Sequence, residues 1–250
     1  MFKGRAVLIT GASGAFGSAI ALQFAKESAN LALTGRNLDK LNKVADKCKA
    51  LGAEKVVPIV ADLTKKNDLS RIISTTTSQL GRLDSLVNNA GYYVHHSLFQ
   101  VTWEEIDDTF AVNVKAPLML SQLAMPFLLE TKGCIVNISS ATPPSQNPAL
   151  VSRMSRGAVD QLTLNLASEF VKQGVRANVV KPALSKTGLT EAQLSNETFE
   201  ERAKMQPLGG LLEHTDIADA VVFLSSPKAS KITGQFLLVD AGVSVMPRIS

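Results

Sequence analysis

The sequence predicts an α/β protein with a doubly wound parallel sheet of about seven strands and helices on both faces. Three observations predict it. Short aliphatic or β-branched runs alternate along the whole chain with stretches of helical period. Those runs are apolar almost throughout, rather than at every second residue, as in strands buried on both faces. A glycine-rich turn joins the first run to the first helical stretch, as in open α/β sheets that bind ligands at their strand ends.

The elements follow in order. Ala6–Thr10 (AVLIT) is the first strand, and Ala15–Ser28 the helix it feeds. Asn30–Gly35 is the second strand, followed by a helix from Leu38 to about Ala50. Lys55–Ala61 is the third, followed by a helix from about Lys66 to Leu80. Ser85–Gly91 is the fourth strand with its turn, and a long helical region spans Thr102–Leu129. Cys134–Ser139 is the fifth strand, and the second half of Asn147–Phe170 reads as a helix. Val175–Pro182 is the sixth strand, Thr215–Ser226 a helix and Gly234–Gly242 the last strand. No repeat or linker interrupts the pattern, so residues 1–250 form one domain. The stretch 183–210 is the one long excursion without a place in the pattern. After a strand's carboxyl end, such an excursion is expected to close over a ligand crevice.

Bulk properties narrow the function. Hydrophobic residues make up 45% and charged residues 19% of 250, enough apolar content for a full core. The net charge is +4, with no run of five or more Lys or Arg, so nucleic acid is not an expected partner. Cys48 and Cys134 fit no metal-ligand spacing and read as two free thiols of a reducing compartment; no metal is expected. The opening MFKGRAVLIT lacks a cleavage-site pattern, and no apolar run reaches about 18 residues. The expectation is a cytoplasmic protein with no membrane span.

The turn TGASGAFG, Thr10–Gly17, offers backbone amides and the positive end of a helix dipole to a pyrophosphate. Further motifs follow in a fixed order: DLT (Asp62–Thr64), NNAG (Asn88–Gly91), NVKA (Asn113–Ala116), NISS (Asn137–Ser140), VRANVVKPA (Val175–Ala183) and ITGQFLLVD (Ile232–Asp240). Together they resemble the short-chain dehydrogenase/reductase family over nearly the whole chain. The resemblance implies a single Rossmann-type, dinucleotide-binding domain. It also implies hydride transfer between a nicotinamide and a small carbonyl or alcohol, and assembly as a homodimer or homotetramer. The helices Thr102–Leu129 and Ala149–Lys172 make the usual dimer faces of such proteins.

By that resemblance the cofactor lies against Gly11, Ser13, Gly14, Ala15, Phe16 and Gly17. Asp62 and Leu63 lie at the adenine edge. Asn88, Ala90 and Gly91 line the adenosine ribose and the path to the nicotinamide, with Pro182 and Thr187 beyond. Two departures stand out: Ala15 replaces a family glycine, with Gly14 one residue early, and Pro182-Ala183 replaces Pro-Gly. The second strand ends in Gly35 rather than an acid, and Arg36 follows. A carboxylate there binds a ribose 2′-hydroxyl, whereas a guanidinium binds a 2′-phosphate, so the expected cofactor is NADP(H) ahead of NAD(H).

The catalytic set is incomplete. Ser140 matches the serine that orients the carbonyl, and Asn113 the asparagine of a water relay. Ser152 and Arg156 stand where the family keeps its tyrosine and, four residues later, its lysine. A serine hydroxyl is shorter and far less acidic than a phenol with a pKa of about 10. Arginine does not shuttle protons near neutral pH. The two tyrosines of the chain, Tyr92 and Tyr93, both lie upstream. Two readings follow: a catalytically impaired member with an NADP(H)-type pocket, or an active but atypical oxidoreductase. In the second, the loop YYVHH supplies the proton through Tyr93, His95 or His96.

Overall fold

The computed structural model describes residues 1–141, 149–204 and 206–245. Its strands are β1 (Ala6–Thr10), β2 (Asn30–Gly35), β3 (Val56–Val60), β4 (Ser85–Asn88), β5 (Cys134–Ile138), β6 (Arg176–Pro182) and β7 (Phe236–Val239). They form one parallel sheet in the order β3-β2-β1-β4-β5-β6-β7. β1 is central, with Ala6 beside Asn30 of β2 on one side and Val7 beside Ser85 of β4 on the other. The chain grows outward from β1 through β2 and β3, then restarts at β4 and grows the other way. The connections leaving the carboxyl ends of β1 and β4 therefore diverge and open a crevice between them.

The helices are α1 (Ala15–Lys26), α2 (Leu38–Ala50), α3 (Lys66–Leu80), α4 (Trp103–Phe110), α5 (Ala116–Thr131), α6 (Leu150–Phe170), α7 (Gly188–Glu191), α8 (Asn196–Lys204) and α9 (His214–Ser225). Successive strand side chains point to opposite faces. Val7, Ile9, Leu31 and Leu33 pack with Ile20 and Phe24 of α1, Leu41 of α2 and Ile217 and Val221 of α9. Ala6, Leu8, Ala32 and Leu86 pack on the other face with Ile72 of α3, Leu120 and Leu128 of α5 and Leu166 of α6. Each fully buried Leu or Ile contributes roughly 1.5–3 kcal/mol of transfer free energy, which is why continuous apolar strands need both helical layers. Cys48 and Cys134 are free and buried, and burial pushes the Cys48 thiol up to about 12.

Three expectations change in detail. The helical region expected over Thr102–Leu129 is split by a π-helical turn, Ala111–Lys115, between α4 and α5. Thr102 caps α4 in a reciprocal box with Glu105, and Lys132, with φ 49, ends α5. The whole run Trp103–Thr131 is long and apolar enough, by length and composition, to cross a membrane. Its Leu120, Ala124 and Leu128 are instead packed into the core beside the sheet. β7 is shorter than Gly234–Gly242, because its partner β6 ends at Pro182, opposite Val239. The excursion after β6 contains α7 and α8 and is anchored by the fully buried Phe199.

Candidate functional site

A crevice of about 550 Å³ lies at the carboxyl ends of β1, β2, β4, β5 and β6. Of the residues expected there, Gly11, Ser13, Gly14, Ala15, Phe16, Gly17, Arg36, Asp62, Leu63, Ala90, Gly91, Ser140, Ser152, Arg156, Pro182 and Thr187 all line it. The first part of the excursion contributes Ala183–Ser185 and Thr187–Thr190 to one wall.

Two expected residues do not line it. Asn88, still within β4, is 4% exposed, and its amide donates to Asn137 Oδ1 at 2.8 Å inside the sheet. Its neighbour Asn89 takes the wall position instead. Side chains alternate faces along a strand, so leaving β4 one residue later turns Asn89 toward the crevice. Asn113 is fully buried behind the wall.

The end of the crevice beside β1 and β2 is built around backbone. Gly14 precedes α1 without a side-chain cap, and the first turn of α1 has no acidic residue. By contrast, α2 is capped by Asn37 and α4 by Thr102. The first amides of α1 thus face the crevice with a positive dipole end. Gly11 has φ +64, and a β-carbon on it would come within 2.9 Å of Ala90 Cα. A β-carbon on Gly17 would collide with the carbonyl oxygen of Gly11 and approach Asn89 Nδ2 to 2.7 Å. These two glycines are required by packing between the β1 and β4 turns. Asn89 and Thr10 lock that junction: Asn89 Nδ2 donates to the Thr10 carbonyl at 2.8 Å, and Thr10 Oγ1 accepts from the amides of Asn89 and Ala90 at 3.0 Å each.

Arg36 is exposed at the mouth, with Lys40 on the same wall. Lys40 was not anticipated from the sequence, although its place one turn into α2 is a usable signal. A β-carbon on Gly35 would sit 2.9 Å from Ser13 Oγ, so Ser13 would have to turn to admit a side chain there. Asp62 accepts from the amide and hydroxyl of Thr64 at 3.0 and 2.8 Å. These bonds, the backbone one foremost, hold its carboxyl below the usual range.

At the other end, polar side chains are turned onto the protein's own backbone. Ser152, in the first turn of α6, is 5% exposed. Its Oγ accepts from the Val94 amide at 2.8 Å and donates to the Val94 carbonyl at 3.2 Å. Asn113 sits on the π turn and does the same to Tyr92: Oδ1 accepts from its amide at 2.7 Å and Nδ2 donates to its carbonyl at 2.9 Å. Nδ2 also donates to Ser155 Oγ at 2.9 Å. The Arg156 guanidinium donates from Nη1 to the Ile138 carbonyl at 2.8 Å and lies against Gly91, where an added β-carbon would strike Nη2. Burial pushes its pKa down to about 10, and Asp160 opposes the shift, so it stays charged at neutral pH.

The loop after Gly91 is sorted by the same bonds. Tyr93 lines the crevice, and its hydroxyl lies 3.3 Å from His95 Nδ1. His96 faces Glu105, at 2.9 Å, outside the crevice lining. Arg153, one residue after Ser152, also reaches the crevice; its sequence neighbour was the only clue. Thr187 lines the crevice while capping α7, its Oγ1 accepting from the Thr190 amide at 3.3 Å. Ser139 and Ser140 close the end of β5, Ser139 Oγ donating to the Arg156 carbonyl at 3.3 Å. The connection between Ser140 and Ser152 lies mostly outside the described residues.

Residues 11–244 match the family described as enoyl-(acyl carrier protein) reductase. The chain is 34% identical over 249 residues to a glucose 1-dehydrogenase of Gluconobacter oxydans, covering 98% of this chain and 93% of the relative. It is 34% identical over 242 residues to a 3-oxoacyl-[acyl-carrier-protein] reductase of Staphylococcus aureus, covering 96% and 98%. Among solved structures, a 3-ketoacyl-(acyl-carrier-protein) reductase from Brucella melitensis complexed with NADH superposes with a TM-score of 0.88 at 29% identity, covering 97% of this chain and 99% of that one. A short-chain dehydrogenase/reductase of Caenorhabditis elegans with cofactor gives 0.90 at 30%, covering 99% and 97%.

Proposed function

Since the chain belongs to the short-chain dehydrogenase/reductase family of oxidoreductases, we propose that it keeps an NADP(H)-type pocket but is catalytically impaired at the positions where the family generates its proton. One observation carries the reading. Ser152 Oγ gives its one proton to the Val94 carbonyl and accepts from the Val94 amide, so that proton is directed at the loop and not into the crevice.

The residues present fit a dinucleotide. The uncapped amides of α1 and the close Gly11–Gly17 packing suit a pyrophosphate. Gly14 has only the Gly11 carbonyl near its missing β-carbon, while Ala15 takes the first helical position, where a methyl needs no special φ. This supports Gly14 as the residue over which the phosphates pass. Arg36 and Lys40 supply two positive charges for a 2′-phosphate, and β2 ends in Gly35, not in an acid that would select NAD(H). The nicotinamide, when bound, supplies or accepts a hydride. Ser140 remains to orient a small carbonyl or alcohol, and Arg156 to hold the ribose hydroxyls.

The same reading gives a cytoplasmic homodimer or homotetramer, with α4–α5 and α6 as meeting faces. Leu118 on α5 and Met154 and Leu164 on α6 are exposed there.

Calorimetric titration tests the pocket. NADPH is expected to bind at least about tenfold tighter than NADH, and Arg36→Ala to remove roughly 10–100-fold of the NADPH affinity while leaving NADH unchanged. Absence of binding by either nucleotide would overturn the reading.

A further inference from the structure

This inference rests on the reading that the crevice takes a reduced nicotinamide dinucleotide. Asn113 grips the amide and carbonyl of Tyr92, and Ser152 grips those of Val94. The residue between the two grips is Tyr93. Each grip satisfies both backbone groups of a neighbour, so Tyr93 cannot slide along the loop without breaking four hydrogen bonds. Its side chain is half-buried and lines the crevice together with Ser140 and Arg153. His95 stands behind its hydroxyl at 3.3 Å, with the rings 6.4 Å apart.

We propose that Tyr93 is the catalytic proton donor of this protein, a phenol delivered from the loop after β4 in place of the one missing from α6, with His95 and Arg153 as positioning residues. The two family positions nearest the chemistry, Asn113 and Ser152, then serve to aim it. In the reducing direction the carbonyl carbon gains a hydride from the reduced dinucleotide, and the C=O π pair moves to oxygen. The O–H bond of Tyr93 breaks as its proton joins that oxygen. The phenolate recovers a proton from His95 or from water, so one hydride and one proton convert the carbonyl to an alcohol. The charged groups around the phenol suit this. Arg153 shares the crevice wall with it: burial lowers the Arg153 pKa, and attraction to the Tyr93 phenolate opposes that shift. Arg202 repels Arg153, and the Glu105 carboxylate is turned to His96.

The chain's two tyrosines make a direct test possible. Phenolate formation is followed by ultraviolet absorbance against pH in the full chain, in Tyr92→Phe, Tyr93→Phe and Arg153→Met. The step lost in Tyr93→Phe is expected at least about one pH unit below the ordinary phenol value of about 10, and to move up in Arg153→Met. With NADPH and butane-2,3-dione, turnover is expected to fall by about 10²-fold or more in Tyr93→Phe, with NADPH affinity unchanged by calorimetry. A Tyr93 step at or above the ordinary value overturns the proposal, as does turnover unaffected by Tyr93→Phe, or no turnover by the NADPH-bound wild type. Failure of the wild type to bind NADPH sinks the cofactor reading and this proposal together. Normal binding with an ordinary phenol titration sinks this proposal alone.

Discussion

The two ends of the crevice treat their polar groups in opposite ways. At the β1–β2 end, the first amides of α1 have no side-chain cap and Arg36 and Lys40 stand at the mouth, so hydrogen-bonding capacity faces the crevice. At the β5–α6 end, Ser152 and Asn113 turn theirs onto the amides and carbonyls of Val94 and Tyr92. Cost explains the difference. Helix-end amides at an open crevice are solvated and lose little by waiting for a ligand. A fully buried amide or hydroxyl left unpaired costs about 1–3 kcal/mol. At position 152 the loop rests on the serine hydroxyl, which serves architecture.

The sharpest way to break this comparison is to restore the missing pair. Ser152→Tyr with Arg156→Lys, made in the Tyr93→Phe background, is expected to raise NADPH-dependent reduction of butane-2,3-dione by about 10²–10⁴-fold, while lowering the melting temperature as the grip on Val94 is lost. No gain with cofactor still bound would mean that the β5–α6 end differs from active relatives in more than these groups.

A smaller effect tests the other end. Gly17→Ala drives a methyl into the Gly11 carbonyl and toward Asn89. Overpacking of this kind costs about 1–3 kcal/mol. The expected outcome is a roughly 10–100-fold loss of NADPH affinity by calorimetry and a lower melting temperature. Unchanged binding would show that the β1–β4 junction does not set the cofactor site.

The smallest expected effect isolates the scaffold role of Ser152. Ser152→Ala leaves the Val94 amide and carbonyl without their partner and should reduce unfolding free energy by about 1–2 kcal/mol in urea melts. A neutral result would return Ser152 to the chemistry.

The sheet and its helices were legible because burial on two faces writes long apolar runs, and these do not depend on loop conformation. Helix ends were legible where a cap marks them, as at Asn37 and Thr102. The π turn was not, since Ala111–Lys115 carries an ordinary helical composition and nothing in its residue types marks the wider turn. Asn88 and Asn89 are chemically identical neighbours, so only the residue at which β4 ends tells which one faces the crevice. The roles of Ser152 and Tyr93 depend on where the Tyr92–His96 loop lands, and composition is silent about that. Arg36 was legible because it follows directly from the end of a strand, whereas Arg153 became visible only when the first turn of α6 was placed.

The double grip on the loop also bears on motion. Tyr92 and Val94 belong to no helix or strand, yet their amides are held by the fully buried Asn113 and the buried Ser152. Those amides can exchange with solvent only when the π turn or the first turn of α6 opens, so this irregular stretch shares the cooperative unit of the core rather than that of the surface.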